Sequence, residues 1–71
     1  MTPEVKQMLE TYAHWYETDL KKVWHPEEMA TTYSIYNLHF GAALRDTGCN
    51  SCRRSVVTHV RKLYQTMAKE Q

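Results

Sequence analysis

The chain has few of the residues that punctuate or staple a small protein. Its 71 residues include two glycines, two prolines, two cysteines and a single phenylalanine. With two cysteines in one Cys-x-x-Cys pair, there is no disulfide framework of the small secreted kind. No apolar run approaches the roughly 20 residues that a membrane-spanning helix requires. The opening Met1-Thr2-Pro3-Glu4 lacks the basic and apolar regions of a secretory signal. Together these absences predict an intracellular protein, neither secreted nor in a membrane, in a setting where cysteines stay reduced or bind metal. There is no phosphate-cradling glycine loop, no nucleophile elbow and no His-Glu-x-x-His, so no enzyme class is indicated. Paired acids such as Glu27-Glu28 fit better as helix-start residues than as a catalytic pair. Repeats, low-complexity tracts and linkers are also missing, which predicts one small domain over residues 1–71.

What remains suits a globular chain: 42% hydrophobic and 11% aromatic residues, with five tyrosines and two tryptophans. A domain of this size buries only about 60% of its unfolded surface, so its core is marginal and help from a partner is expected. Trp15, Trp24 and Tyr36 are the interface candidates, because an apolar ring with a polar tip suits a half-wet surface. The net charge of +1 is unevenly spread. Residues 1–44 hold three Lys/Arg against six Asp/Glu, whereas residues 45–71 hold six against two. Such asymmetry points to an anionic partner, to head-to-tail self-association, or to acidic and basic faces offsetting each other within one domain.

Three helical patterns organise the chain. Thr2-Pro3-Glu4 is a helix start: a hydroxyl cap, proline at the first position, then an acid near the positive end. Val5, Met8, Leu9, Tyr12, Trp15, Tyr16, Leu20 and Val23 follow at helical spacing, predicting one helix over residues 3–23 with a possible kink near Thr18. Pro26-Glu27-Glu28 repeats the start signal. Met29, Tyr33, Tyr36, Phe40 and Ala43 then form a narrow seam. Thr31, Thr32, Tyr33, Ile35 and Tyr36 are better strand formers than helix formers, but the seam favours a helix. Gly41 is expected to mark a close approach of another backbone, and Gly48 to supply a left-handed cap that closes the second helix. Asn50 or Ser51 can cap a third helix, whose core stripe is Val56, Val60, Leu63 and Met67. Arg54, Thr58, Arg61, Gln65 and Lys69 fall on its opposite face. The expected fold is all-α, a three-helix bundle or orthogonal three-helix array with a Cys-x-x-Cys corner between the second and third helices.

That corner carries the candidate chemistry. Cys49 and Cys52 supply two zinc ligands, and His39 and His59 would complete a set of four. On a regular helix, however, His59 lies about 10 Å beyond Cys52 along the axis. His39 is similarly distant. Metal at Cys49 and Cys52 is therefore expected only across a subunit interface, with two chains each lending a pair. Redox chemistry is a second reading, since a cysteine at a helix start beside Arg53 and Arg54 would have a stabilised thiolate. The strand–helix frame of thioredoxin-like folds is missing, and the plainer expectation is two buried thiols shaping the corner. The third reading is nucleic-acid binding through Arg53, Arg54, Arg61 and Lys62 on the third helix. The sequence pI of 7.8 lies below the values above about 9 of dedicated nucleic-acid modules.

The segment Tyr36-Asn37-x-x-Phe40-Gly41, followed by Asp46-Thr47-Gly48-Cys49-x-Ser51-Cys52-x-Arg54, resembles small helical proteins of tailed bacteriophages, especially crAss-like phages of gut Bacteroidetes. The likeness covers residues 33–64. It implies a phage setting, in the host cytoplasm or the virion, where such proteins serve as accessory subunits or act on nucleic acid. It assigns no catalytic residue. The expectation is thus a phage-type interaction module, a virion-associated or auxiliary subunit that docks on a larger protein or on itself. The alternative is a DNA-binding protein using its basic helix.

Overall fold

The computed structural model of the chain describes residues 1–70. Helix α1 spans Pro3–Thr11, α2 Ala13–Tyr16, α3 Pro26–Phe40 and α4 Asn50–Lys69, with no strand among the described residues. The all-helical expectation stands, and 31–40 is helix in spite of its strand-forming residues. Burial overrides propensity there, with Thr32, Tyr33 and Ile35 all turned into the core.

The first predicted helix is two helices and then none. Thr2 caps α1 as expected, its hydroxyl accepting the Val5 N–H at 3.3 Å. Tyr12 then leaves helical geometry (φ −107°, ψ 24°), and a single turn follows to Tyr16. Residues 17–25 are not helical. The Thr18 hydroxyl accepts the Leu20 N–H at 3.1 Å, the local capture by which threonine competes with a helix. Leu20 and Val23, expected in the core stripe, are consequently exposed.

Residues 17–25 nevertheless have a fixed course. Tyr16 and Trp24 stack with ring centres 6.1 Å apart, and Trp15 meets Trp24 edge-on at 6.3 Å. Glu28 holds the segment twice: Oε1 accepts the His25 N–H at 2.8 Å, capping α3, and Oε2 accepts Lys21 Nζ at 2.8 Å. These contacts hold Glu28 below the usual carboxylate range, chiefly through the Lys21 ammonium and next through the His25 N–H.

Gly41, not Gly48, ends α3. It has φ 65°, and a side chain there would meet nothing within 4 Å, so its role is the left-handed cap and not close packing. Gly48 (φ 82°) shapes the loop before α4. Phe40 and Ala43, the end of the predicted seam, are exposed: Phe40 is the last residue of α3, and Ala43 follows the Gly41 turn. Asn37 fastens this loop, its amide donating to Leu44 O at 3.0 Å and its Oδ1 accepting the Leu44 N–H at 3.1 Å.

The core comprises Val5 and Leu9 of α1, Tyr16 of α2, Met29, Tyr33 and Ile35 of α3, and Val56, Val57, Val60 and Met67 of α4. Leu63 is only half-buried, and Val57 joins the stripe read from sequence. One polar pair lies inside: Tyr16 Oη and Thr32 Oγ1 are 2.8 Å apart. Thr32 donates its own proton to Glu28 O at 2.9 Å, so Tyr16 is the donor to Thr32. No helix among the described residues is long and apolar enough to cross a membrane.

Candidate functional site: a cationic concavity beside the Cys-x-x-Cys turn

The polar stripe of α4 and the non-helical segment 17–25 face each other across a concavity of about 620 Å³. Asn50, Arg53, Arg54, Thr58 and Arg61 line it from α4, at the three- and four-residue spacing that puts them on one helix face. Asp19, Lys21, Lys22 and Trp24 line it from the segment, over Met29 and Val57. Five cations therefore surround one carboxylate.

The five cations are not equivalent. Lys21 is committed to Glu28, and its ammonium lies 4.9 Å from the centre of the Trp24 ring. Arg53 is committed to Asp46 through two parallel bonds, Nε to Oδ1 at 2.7 Å and Nη2 to Oδ2 at 2.8 Å. That fork and the Gly48 N–H (3.1 Å) hold Asp46 below the usual carboxylate range, the guanidinium more strongly. Lys22, Arg54 and Arg61 have no ion pair among the described residues. Arg61 stands out, because its Nε and Nη2 are shielded from solvent and have no hydrogen-bond partner. A guanidinium in that state is destabilising unless an anion compensates it.

Of the four cations read from sequence as a nucleic-acid surface, three come together here. Lys62 is exposed and does not line the concavity. Arg61, placed by periodicity on the solvated face, is half-buried because residues 17–25 cover that face. Lys21, Lys22 and Asn50 were not anticipated. Asp19 interrupting the apolar stripe was the sequence signal that the first helix does not continue.

The Cys-x-x-Cys turn opens α4 next to this concavity. Cys49, in place of Asn50 or Ser51, is the N-cap: its Sγ accepts the Cys52 N–H at 3.2 Å and lies 3.3 Å from Ser51 Oγ. The two cysteines are paired as a disulfide, with Cα atoms 5.2 Å apart. They are not the buried fillers expected, since Cys49 is half-buried and Cys52 exposed. A helix N-terminus puts its first turn at the molecular edge, where small side chains have nothing to pack under. His39 of α3 and His59 of α4 each lie edge-on to Phe40, at 4.8 and 6.0 Å between ring centres. His59 Nδ1 donates to Ser55 O at 2.7 Å. Among the described residues no group of three or more His, Cys, Asp and Glu is placed to hold a metal ion.

The interface candidates Trp15, Trp24 and Tyr36 are all half-buried against the core. Trp15 stacks on Tyr12 at 4.5 Å, Trp24 walls the concavity, and Tyr36 tilts against the exposed Phe40 at 4.6 Å. Comparison of the chain with protein-family models, with curated proteins and with solved structures finds no match.

Proposed function

We propose that this protein is a binding module, not an enzyme, and that it holds a nucleic-acid strand by its phosphates in the concavity between α4 and residues 17–25. The observation that carries this reading is Arg61, a half-buried guanidinium with two unpartnered nitrogens beside two further uncompensated cations, Lys22 and Arg54. The cationic stripe from Arg53 to Arg61 runs about 12 Å along the helix, longer than one phosphate group requires. A polymer of phosphates fits that length better than a small anion does. The Trp24 ring is taken up by Tyr16 and the Lys21 ammonium, so bases have no open ring to stack on. Recognition is therefore of the backbone and tolerant of sequence.

The binding assay is fluorescence anisotropy with a labelled single strand and a labelled duplex across a salt series. Three free cations predict a log–log salt slope of about −2 on the single strand and nearly −3 on the duplex. A slope near zero, or no binding at low salt, would remove the reading.

A second reading is the phage-type auxiliary subunit that docks on a larger protein or on itself. Leu38, Phe40 and Leu44, each 47% exposed around the end of α3, are the observation that favours it. Sedimentation of the same preparation separates the two. Concentration-dependent assembly with no oligonucleotide binding belongs to the docking subunit, and a monomer with salt-dependent binding to the nucleic-acid module.

A further inference from the structure

We infer that the Cys49–Cys52 pair is a reversible thiol–disulfide exchange site in which an attacking thiolate meets Cys52 and Cys49 departs. The inference is independent of what the concavity binds.

The pair sits at the surface with its two residues differently exposed. Cys52 is exposed and Cys49 half-buried. The bond joins residues three apart within the first turn of α4. A cross-link that closes so short a loop restricts the unfolded chain least, so stapling the fold is a weak reason for it. Exposure, by contrast, is what exchange requires.

The asymmetry fixes the direction of attack. The Cys49 sulfur is the N-cap of a 20-residue helix and already accepts the Cys52 N–H, with the Ser51 hydroxyl 3.3 Å away. A thiolate formed there keeps a charge-assisted hydrogen bond at the positive end of the helix, so Cys49 is the better leaving group. The neighbouring Arg53 adds little, because its fork is turned onto Asp46. The stabilisation comes from the helix start itself.

The reductant is a small monothiol of the glutathione class. Its thiolate attacks Cys52 Sγ, a new S–S bond forms there, and the Cys49–Cys52 bond breaks with its electron pair left on Cys49. A second thiolate attacks the small thiol's own sulfur in the mixed disulfide and forms the oxidised small disulfide. Cys52 leaves as a thiolate, and the two cysteines take protons according to pH. Two electrons pass from two thiols to the protein, and the reverse sequence reoxidises it.

The test uses the full chain in buffers of reduced and oxidised glutathione. Samples are quenched in acid, alkylated and mapped by peptide mass, with helicity followed in parallel. Conversion in both directions is expected within a thousandfold range of buffer ratio, with helicity unchanged. Mixed disulfide should lie on Cys52 over Cys49 by roughly tenfold or more, because attack favours the more exposed cysteine and leaves the thiolate that the helix start holds. A pair that stays in one state throughout the range, a mixed disulfide mainly on Cys49, or loss of α4 helicity on reduction would each overturn the proposal.

Discussion

Tyr16 shows how one side chain joins core to polar network. It is fully buried, and its hydroxyl reaches Thr32 while Thr32 reaches the α3 backbone. Burial pushes the Tyr16 hydroxyl up to about 12. A group whose folded pKa is raised stabilises fully below its unfolded value of 10.0, and that stability is lost as pH rises through the folded one. Denaturant midpoints of the wild type should therefore fall between pH 10 and about 12 more steeply than those of Tyr16→Phe. Parallel curves would mean that Tyr16 is solvated. The buried tyrosine was legible as part of an apolar stripe. Its partner was not, because Thr32 lies beside the seam rather than on it.

At the scale of elements, the start and seam of α3 and the body of α4 were legible, whereas the end of α3 and residues 17–25 were not. Proline at the first position of α3, acids behind it and a helical apolar seam all agree, and so do the valines of α4. In residues 17–23 the local signals conflict. Leu20 and Val23 continue the helical spacing while Thr18 and Asp19 break it. The conflict is decided by Glu28, a residue beyond the segment, whose two oxygens hold the His25 N–H and Lys21. A reach of seven residues from Glu28 to Lys21 leaves no periodicity to read. The concavity was illegible for the same reason, since one of its walls is this segment.

The Glu28 contacts also set an acid limit. A carboxylate whose folded pKa is depressed contributes stability above its unfolded value, lost as pH falls through the folded one. Wild-type stability should thus decline as pH drops below about 4.5, the ordinary value for this carboxyl. Glu28→Gln should start lower at pH 7 and decline less over the same window. Equal acid slopes for the two proteins, measured by urea unfolding from pH 7 to 3, would show that Lys21 is not held by this carboxylate.

For the whole molecule, the charge split read from sequence takes a specific form. The acidic half is not one face and the basic half another. Lys21 and Lys22, from the acidic half, close over the α4 arginines, while Glu28 and Asp46 each neutralise one of the five cations. Three cations without an ion pair, Lys22, Arg54 and Arg61, remain together around Asp19 on a molecule of net charge +1. That concentration, and not the overall charge, is what an anionic partner would meet.

Arg61 is where the stability of the free protein and the proposed function oppose each other. Methionine keeps the aliphatic stem and removes a charge that has two buried, unpartnered nitrogens. The free Arg61→Met protein should be more stable by about 1 kcal/mol, a rise of roughly 4–8 °C in Tm for a domain of this size. The same variant should bind oligonucleotide more weakly, with a salt slope shallower by about 0.7–0.9. Melting and anisotropy on the one variant therefore test the account directly: Tm up with binding down is the predicted result, and Tm down with binding unchanged would contradict it.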